Sequence, residues 1–297
     1  MPILIDRDTR ILVQGITGRT GEFATRYMVE YGSNVVAGVS PGKGGRRVWG
    51  IPVYNTVSEA VRNVGDIDAT LIIVPPDNVL EAVYEAIDSG IGLICIPTEG
   101  VPIHDVIKFT LYASRNGSRI VGPGSFGVIS PGRSVIGWIG GSIELAREAF
   151  REGSIGVISR SGGQTTTISW LLSREGLGVS TAIHVGSEPI VGTVMAEALE
   201  MFESDDGTRA VVIFGEVGGV QEEEAAELVE RGVFTKPLVA YIAGRNLPGG
   251  IRFSHASAII EAGRGSPISK IEAFRRAGAT VVNDPREIPR ALKNMLG

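Results

Sequence analysis

Two short stretches of this chain bring together residue types suited to holding phosphoryl groups, and a third sets a carboxylate where catalytic groups collect. The first is Gln14-Gly15-Ile16-Thr17-Gly18-Arg19-Thr20-Gly21, which follows an apolar run and opens a helical pattern. Glycines three apart let the backbone turn sharply and aim N–H groups from a helix N-terminus, where the dipole favours an anion. The spacing is G-x-x-G-x-x-G rather than the dinucleotide fingerprint G-x-G-x-x-G. A dinucleotide site also wants an acid about 20 residues further on to hold a ribose hydroxyl. Here Ser40-Pro41-Gly42-Lys43-Gly44-Gly45 offers a lysine instead. Lys43 among glycines suits another phosphate better than a diol, and the plain alternative is a Gly-rich turn between strand and helix. Lys43 also misses the P-loop pattern G-x-x-x-x-G-K-[ST] twice, at Ala37 and at Gly44. No other stretch offers a grip for a nucleoside triphosphate.

The second stretch, Ser159-Arg160-Ser161-Gly162-Gly163-Gln164-Thr165, again leads from a strand pattern into a helix. Ser161, Gly162 and Gly163 would turn backbone amides toward an anion, although Ser161 or Thr165 as an ordinary N-cap reads equally well. The third, Gly215-Glu216-Val217-Gly218-Gly219, puts a carboxylate at the carboxyl end of a strand, where ligands gather on open α/β sheets. The following Glu222 to Glu224 read as a solvated first helical turn favoured by the dipole. Pro97-Thr98-Glu99-Gly100 closes another strand, and Glu99 suits either a ligand contact or a helix cap.

The chain has three histidines. His104 opens a helical segment and reads as a surface or capping residue. His184 lies in an apolar strand and reads as a satisfied core histidine. His255 stands in a Gly-rich loop beside small residues, Ser254, Ala256 and Ser257, which leave room for a bulky adduct. No second histidine or cysteine lies at ligand spacing, so no metal site is expected. No G-x-S-x-G elbow occurs, which argues against serine hydrolysis.

These motifs sit between short β-branched runs and helix-period segments. Strands are expected at 11–14, 34–39, 69–74, 92–96 and 119–121, then at 154–159, 180–185, 210–214, 237–242 and 280–282. Helices are expected at 21–31, 57–63, 78–89 and 102–116, then at 165–175, 194–203, 220–231, 269–277 and 285–295. Such alternation argues α/β architecture with doubly wound parallel sheets. The 92–96 strand should lie beside the first. Pro and Gly cluster at 121–133 with little periodicity, as at a junction, which divides the chain into domains at 1–130 and 131–297.

The 297 residues are 43% hydrophobic and 21% charged, enough for two well-packed domains. The net charge of −5 leaves no basic field for nucleic acid or anionic lipid. The single cysteine, Cys95, excludes an internal disulfide and a cysteine-based zinc site. No apolar run approaches the ~18 residues of a membrane span. Asp6, Arg7, Asp8 and Arg10 occupy the place of a signal peptide's apolar stretch, so a cytoplasmic protein is expected.

Taken in order, 14–21, 40–45, 97–100, 159–162, 215–219 and 244–260 resemble the α subunit of succinyl-CoA synthetase, the NDP-forming succinate–CoA ligase of the tricarboxylic acid cycle. The resemblance runs along nearly the whole chain. It implies a Rossmann-like domain binding coenzyme A through Thr17, Gly18, Arg19 and Thr20, completed by Lys43, Pro97, Thr98 and Glu99. It implies a flavodoxin-like domain in which His255 is transiently phosphorylated and Glu216 holds the opposite ring nitrogen. Ser161, Gly162 and Gly163 would then receive the phosphoryl group. It also implies a β subunit with an ATP-grasp domain that binds the magnesium nucleotide, in keeping with the missing triphosphate grip here. The reaction would join a small carboxylate to CoA through an acyl phosphate and a phosphohistidine.

The chain departs from the family's pattern at several points. Gly122-Pro123-Gly124-Ser125-Phe126-Gly127 stands for Gly-Pro-Asn-Cys-Pro-Gly, and Thr166 stands for a substrate-contacting tyrosine. Gly186-Ser187-Glu188-Pro189 stands for Gly-Gly-Asp-Pro, and Ser254-His255-Ala256-Ser257 for Gly-His-Ala-Gly. The acid pocket is thus altered, so malate or citrate stand beside succinate. A CoA- or dinucleotide-binding regulatory protein without covalent chemistry is the reading from another class. A Rossmann oxidoreductase is disfavoured by the missing ribose acid.

Overall fold

Ile11–Gln14 (β1) is buried along its whole length, as an unbroken apolar run requires when both sheet faces are covered. The structure, a computed structural model, describes residues 3–245 and 264–297. The first sheet continues with β2 (Val35–Val39), β3 (Arg47–Val48), β4 (Ile51–Tyr54), β5 (Ala69–Ile72), β6 (Leu93–Cys95) and β7 (Arg119–Val121). Its order is β3-β4-β2-β1-β5-β6-β7, parallel except for the β3–β4 hairpin at one edge.

The second sheet comprises β8 (Gly127–Ser130), β9 (Ser134–Gly137), β10 (Glu152–Ser159), β11 (Val179–His184), β12 (Ala210–Gly215), β13 (Leu238–Ile242) and β14 (Thr280–Val282). Its order is β14-β13-β12-β10-β11-β8-β9. Strands β10 to β14 run parallel, and the β8–β9 hairpin joins β11 antiparallel. Helices flank both sheets, so the chain is α/β with two doubly wound, mainly parallel sheets.

Two expectations are corrected, and two elements are added. Strand β6 does not lie beside β1, because β5 pairs with both. The 121–133 junction is not a loop throughout, because β8 lies within it and already belongs to the second sheet. The β3–β4 hairpin and the Ile143–Ala149 helix were not expected at all.

One apolar cluster runs through both sheets, joining Ile11, Val13 and Met28 to Val128, Ile136 and Ile155. The Arg19–Tyr31 helix packs on β9, and Tyr27 donates its hydroxyl to the Ile139 carbonyl. Nearby, the Ser33 hydroxyl donates to the Val135 carbonyl at 2.8 Å and accepts from the Val135 N–H at 2.9 Å. Among the described residues no helix is long and apolar enough to cross a membrane. Parallel pairing brings the loops after β1 and β2 side by side, and likewise those after β10 and β12.

Candidate functional site

The loop after β1 is shaped by backbone crowding. Gly15 has φ +81°, and a Cβ there would stand 1.9 Å from the Ile73 carbonyl oxygen. Gly18 is the N-cap of the Arg19–Tyr31 helix and brings no side chain to its first turn. Arg19 and Thr20 begin that turn in solvent. The Thr17 hydroxyl donates to Ser40 Oγ at 2.9 Å and accepts from Lys43 Nζ at 3.1 Å. Thr17, Ser40 and Lys43, but not Gly18, Arg19 or Thr20, line a cleft of about 610 Å³ with Gln14, Gly15, Val74 and Pro75. The combination of an open cleft, one exposed lysine and a helix start suits a long phosphorylated ligand.

The 97–100 stretch borders this cleft indirectly. Thr98 donates its hydroxyl to the carbonyl of Val74, a cleft wall, at 3.0 Å. Pro97 is half-buried and Glu99 exposed. Glu99 does not cap the next helix, Ile103–Arg115, whose N-cap is Pro102 with no side-chain bond. Its carboxylate accepts instead from the Ser187 hydroxyl at 3.5 Å. Gly100 N–H donates to Glu188 at 2.7 Å and Gly124 N–H to the Thr98 carbonyl at 3.1 Å, so this stretch is tied to loops of the second sheet.

At the end of β10, Ser161 is the N-cap of the Gly162–Arg174 helix and accepts from the Gln164 N–H at 3.4 Å. The Ser161 N–H already donates to Ser159 Oγ at 3.0 Å. The amides that face forward are therefore those of Gly162 and Gly163, the first two of the helix. A Cβ on Gly162 would come 2.0 Å from the Phe126 ring, so only glycine allows that ring to close over the helix start. Thr166, one turn along, donates to the Gly162 carbonyl at 3.3 Å. It lines an apolar groove of about 510 Å³ with Phe126, Trp138, Leu145 and Trp170.

Glu216 follows β12, half-buried, and its backbone is held from below. Its N–H donates to Glu222 Oε1 at 3.0 Å, and its carbonyl accepts from Lys270 Nζ at 2.7 Å. Lys270 also donates to the Gly218 carbonyl at 2.7 Å and to the Glu222 carboxylate. The side chains of Lys270 and Glu222 are wholly buried. Glu223 is buried as well and accepts from the Gly265 N–H at 2.7 Å and from Ser269 at 2.9 Å. The expected solvated turn is thus corrected, because only Glu224 of the three is exposed. A buried carboxylate is tolerated where donors meet it, and Lys270, Gly265 and Ser269 are those donors.

Buried Arg160 joins the two corners, donating from Nη1 to the Gly218 carbonyl at 3.0 Å. His184, the last residue of β11, accepts the Phe126 N–H at Nδ1 (2.8 Å) and lies 3.0 Å from the Arg160 carbonyl at Nε2. Since Nδ1 faces a donor, the ring proton is assigned to Nε2. Burial pushes this imidazole down to about 4, so it is neutral near pH 7. Burial likewise raises the Cys95 thiol to about 12, which removes it as a nucleophile at neutral pH. His104 is exposed at the start of its helix. His255 lies outside the described residues.

Sequence reasoning missed Arg160, Lys270 and Glu222 as supports. Lys270 carried a usable signal: a lysine flanked by Ile271, Ala273 and Phe274 on a buried helix face needs a buried acid.

The sequence model of the CoA binding domain matches residues 6–100, and that of the succinyl-CoA ligase like flavodoxin domain matches residues 152–295. The chain is 44% identical, over all of its own length and 95% of the other, to the α subunit of an ADP-forming succinate–CoA ligase from Aquifex aeolicus. It belongs to the succinate–CoA ligase α-subunit family. A subunit of an ADP-forming sulfoacetate–CoA ligase from an Acholeplasma species is 43% identical over 99% of this chain and 98% of its own. Methanosaeta concilii ATP citrate lyase has the same fold, with a TM-score of 0.90 at 23% identity. That likeness covers 99% of this chain, which spans about half the length of the lyase chain (50%). In the ligase family's terms, the Thr17–Lys43 cleft lies inside the CoA-binding match, and Ser161, Glu216 and Lys270 inside the flavodoxin match.

Proposed function

We propose that the chain is the α subunit of an NDP-forming carboxylate–CoA ligase, with succinate as the default acid. The observation that carries this reading is the linkage of the Gly162 helix start to the Glu216 loop through Arg160 and Gly218, beside a cation-bearing cleft on the first sheet. In this scheme Thr17, Gly18, Arg19, Thr20 and Lys43 hold the phosphates of coenzyme A, and Pro97, Thr98 and Glu99 border its path. A β subunit with an ATP-grasp domain holds the magnesium nucleotide and phosphorylates His255. Glu216 orients that imidazole, while the Gly162 and Gly163 amides and the Ser161 hydroxyl donate to the phosphoryl oxygens. The phosphoryl group then passes from nitrogen to the substrate carboxylate. The CoA sulfur attacks the resulting acyl phosphate, its proton is lost, and inorganic phosphate leaves. Dividing the ligation this way replaces one hard displacement by easier ones.

Thr166 and Phe126 face the acid in this reading, and their departure from the family pattern leaves malate, citrate and sulfoacetate as competitors of succinate. The proposed compartment is the cytoplasm, the setting expected for a lone reduced cysteine.

Co-purified α and β chains incubated with γ-labelled nucleoside triphosphate should carry label on His255. His255→Asn should stay unlabelled, and label persisting in it overturns the reading. Glu216→Gln should lower labelling by about 10- to 100-fold, as expected for a group that orients a reacting imidazole. A CoA-binding regulatory protein would show neither label nor any effect of that change.

A further inference from the structure

His184 is the one described histidine whose ring meets backbone at both nitrogens, and the two partners belong to different loops. Phe126 N–H lies in the 122–126 loop and the Arg160 carbonyl in the loop that begins the Gly162–Arg174 helix. The grip on the first loop is doubled, because the Ser125 hydroxyl donates to the His184 carbonyl and accepts the Gly127 N–H at 3.0 Å. The Phe126 ring packs on the imidazole at 5.6 Å between centroids, and its other edge closes over Gly162. Through Gly124 the same loop reaches the Thr98 carbonyl at 3.1 Å. A run of direct bonds therefore leads from the coenzyme cleft to the anion-receptive helix start, and His184 is its middle link.

A histidine that merely filled space would be replaceable by a hydrocarbon of similar size. This one satisfies a part-buried donor and a buried acceptor that face each other across a gap of one imidazole, and a hydrocarbon would leave both without this partner. We propose that His184 is a positioning residue that fixes the 122–126 loop against the first turn of the Gly162–Arg174 helix, aligning acyl phosphate with the CoA sulfur. This inference rests on the ligase reading. Phosphorylation from the nucleotide needs only the helix start and the Glu216 loop, whereas acyl transfer needs both ends of the link. A displacement of about 1 Å between reacting groups costs up to about 100-fold in rate.

The test uses the αβ complex and separates the two half-reactions. His184→Leu should leave labelling by γ-labelled triphosphate within about twofold. It should slow CoA- and carboxylate-dependent loss of label about tenfold or more, with KM for CoA little changed. His184→Asn, whose oxygen can accept from Phe126, and His184→Gln, whose nitrogen can reach the Arg160 carbonyl, should each recover part of that loss. Equal losses in both half-reactions, no loss in either, or Asn and Gln no better than Leu would overturn the inference. Should the Leu variant fail to fold, the Asn and Gln variants compared with the parent carry the test. Slowed transfer with labelling retained supports the inference, and parent-like transfer overturns it. Absence of label in the parent complex sinks the ligase reading and this inference with it; label with unselective loss sinks this inference alone.

Discussion

The two phosphate-suited loops look alike in sequence and are built differently. The Gly15–Thr20 turn and Lys43 stand largely in solvent, joined by single bonds among Thr17, Ser40 and Lys43. The Ser161 and Glu216 corner rests on buried charge: Arg160, Glu222, Glu223 and Lys270 bond its backbone or brace it from behind, while neutral His184 ties it to the 122–126 loop. Exposed side chains can adapt to a long flexible ligand, but they lose rotamer freedom on binding it. Buried polar groups cannot move without leaving a partner unsatisfied, so they hold backbone amides and a carboxylate in fixed relation. In the ligase reading, the first site binds and the second positions.

Lys270→Met tests this contrast most severely. It strands the Glu222 carboxylate in the core, and breaking a buried pair from one side costs about 3–5 kcal/mol. Urea unfolding should show that loss. The folded fraction should still bind CoA with parental affinity while losing phosphorylation, and CoA affinity falling in step would erase the distinction between the two sites.

Acid should also find the second corner first. His184 is held neutral with its ionisation pushed down from 6.5 to about 4, chiefly by burial. Between these values the unfolded chain binds a proton that the folded chain does not. Stability therefore falls as pH drops from 6.5 toward 4 and loses nothing further from this group below that. The shift corresponds to on the order of 3 kcal/mol. Arg160, the charged neighbour, adds to the depression and does not titrate in this range. In unfolding measurements across this window, His184→Gln should show a shallower pH slope than the parent; parallel slopes would refute the assignment.

Lys43→Ala should produce the smallest effect. We expect about tenfold weaker CoA binding in a titration at low salt, a smaller difference at high salt, and unfolding stability changed by less than about 0.5 kcal/mol. A large loss of stability would mean that the first site is braced like the second.

The strands of both parallel sheets were legible because their runs of Val, Ile and Ala are continuous; the expected 119–121 and 280–282 match β7 and β14. The β3–β4 hairpin was not, since two of its residues, Arg47 and Val48, carry no period of their own. Strand β8 was not legible because Gly127 and Ser130 frame only two apolar residues, and β11, which joins it to the rest of the sheet, comes some fifty residues later. The candidate site shows the same division. Thr17, Lys43, Ser161 and Glu216 were visible as residue types at strand ends, while the burial of Glu222 and Glu223 was invisible because Gly265, Ser269 and Lys270, which donate to them, arrive from a segment some forty residues on.

Residue type and spacing alone determined that this chain alternates strand and helix and where its glycine-rich turns fall. Those properties depend on neighbours in the chain, through hydrogen-bond geometry and the period of apolar side chains. Which turns stand together, which carboxylates leave water, and which histidine bridges two loops were decided only in three dimensions. Burial and pairing are relations between segments distant in sequence, and folding sets their energies when it removes water from between them.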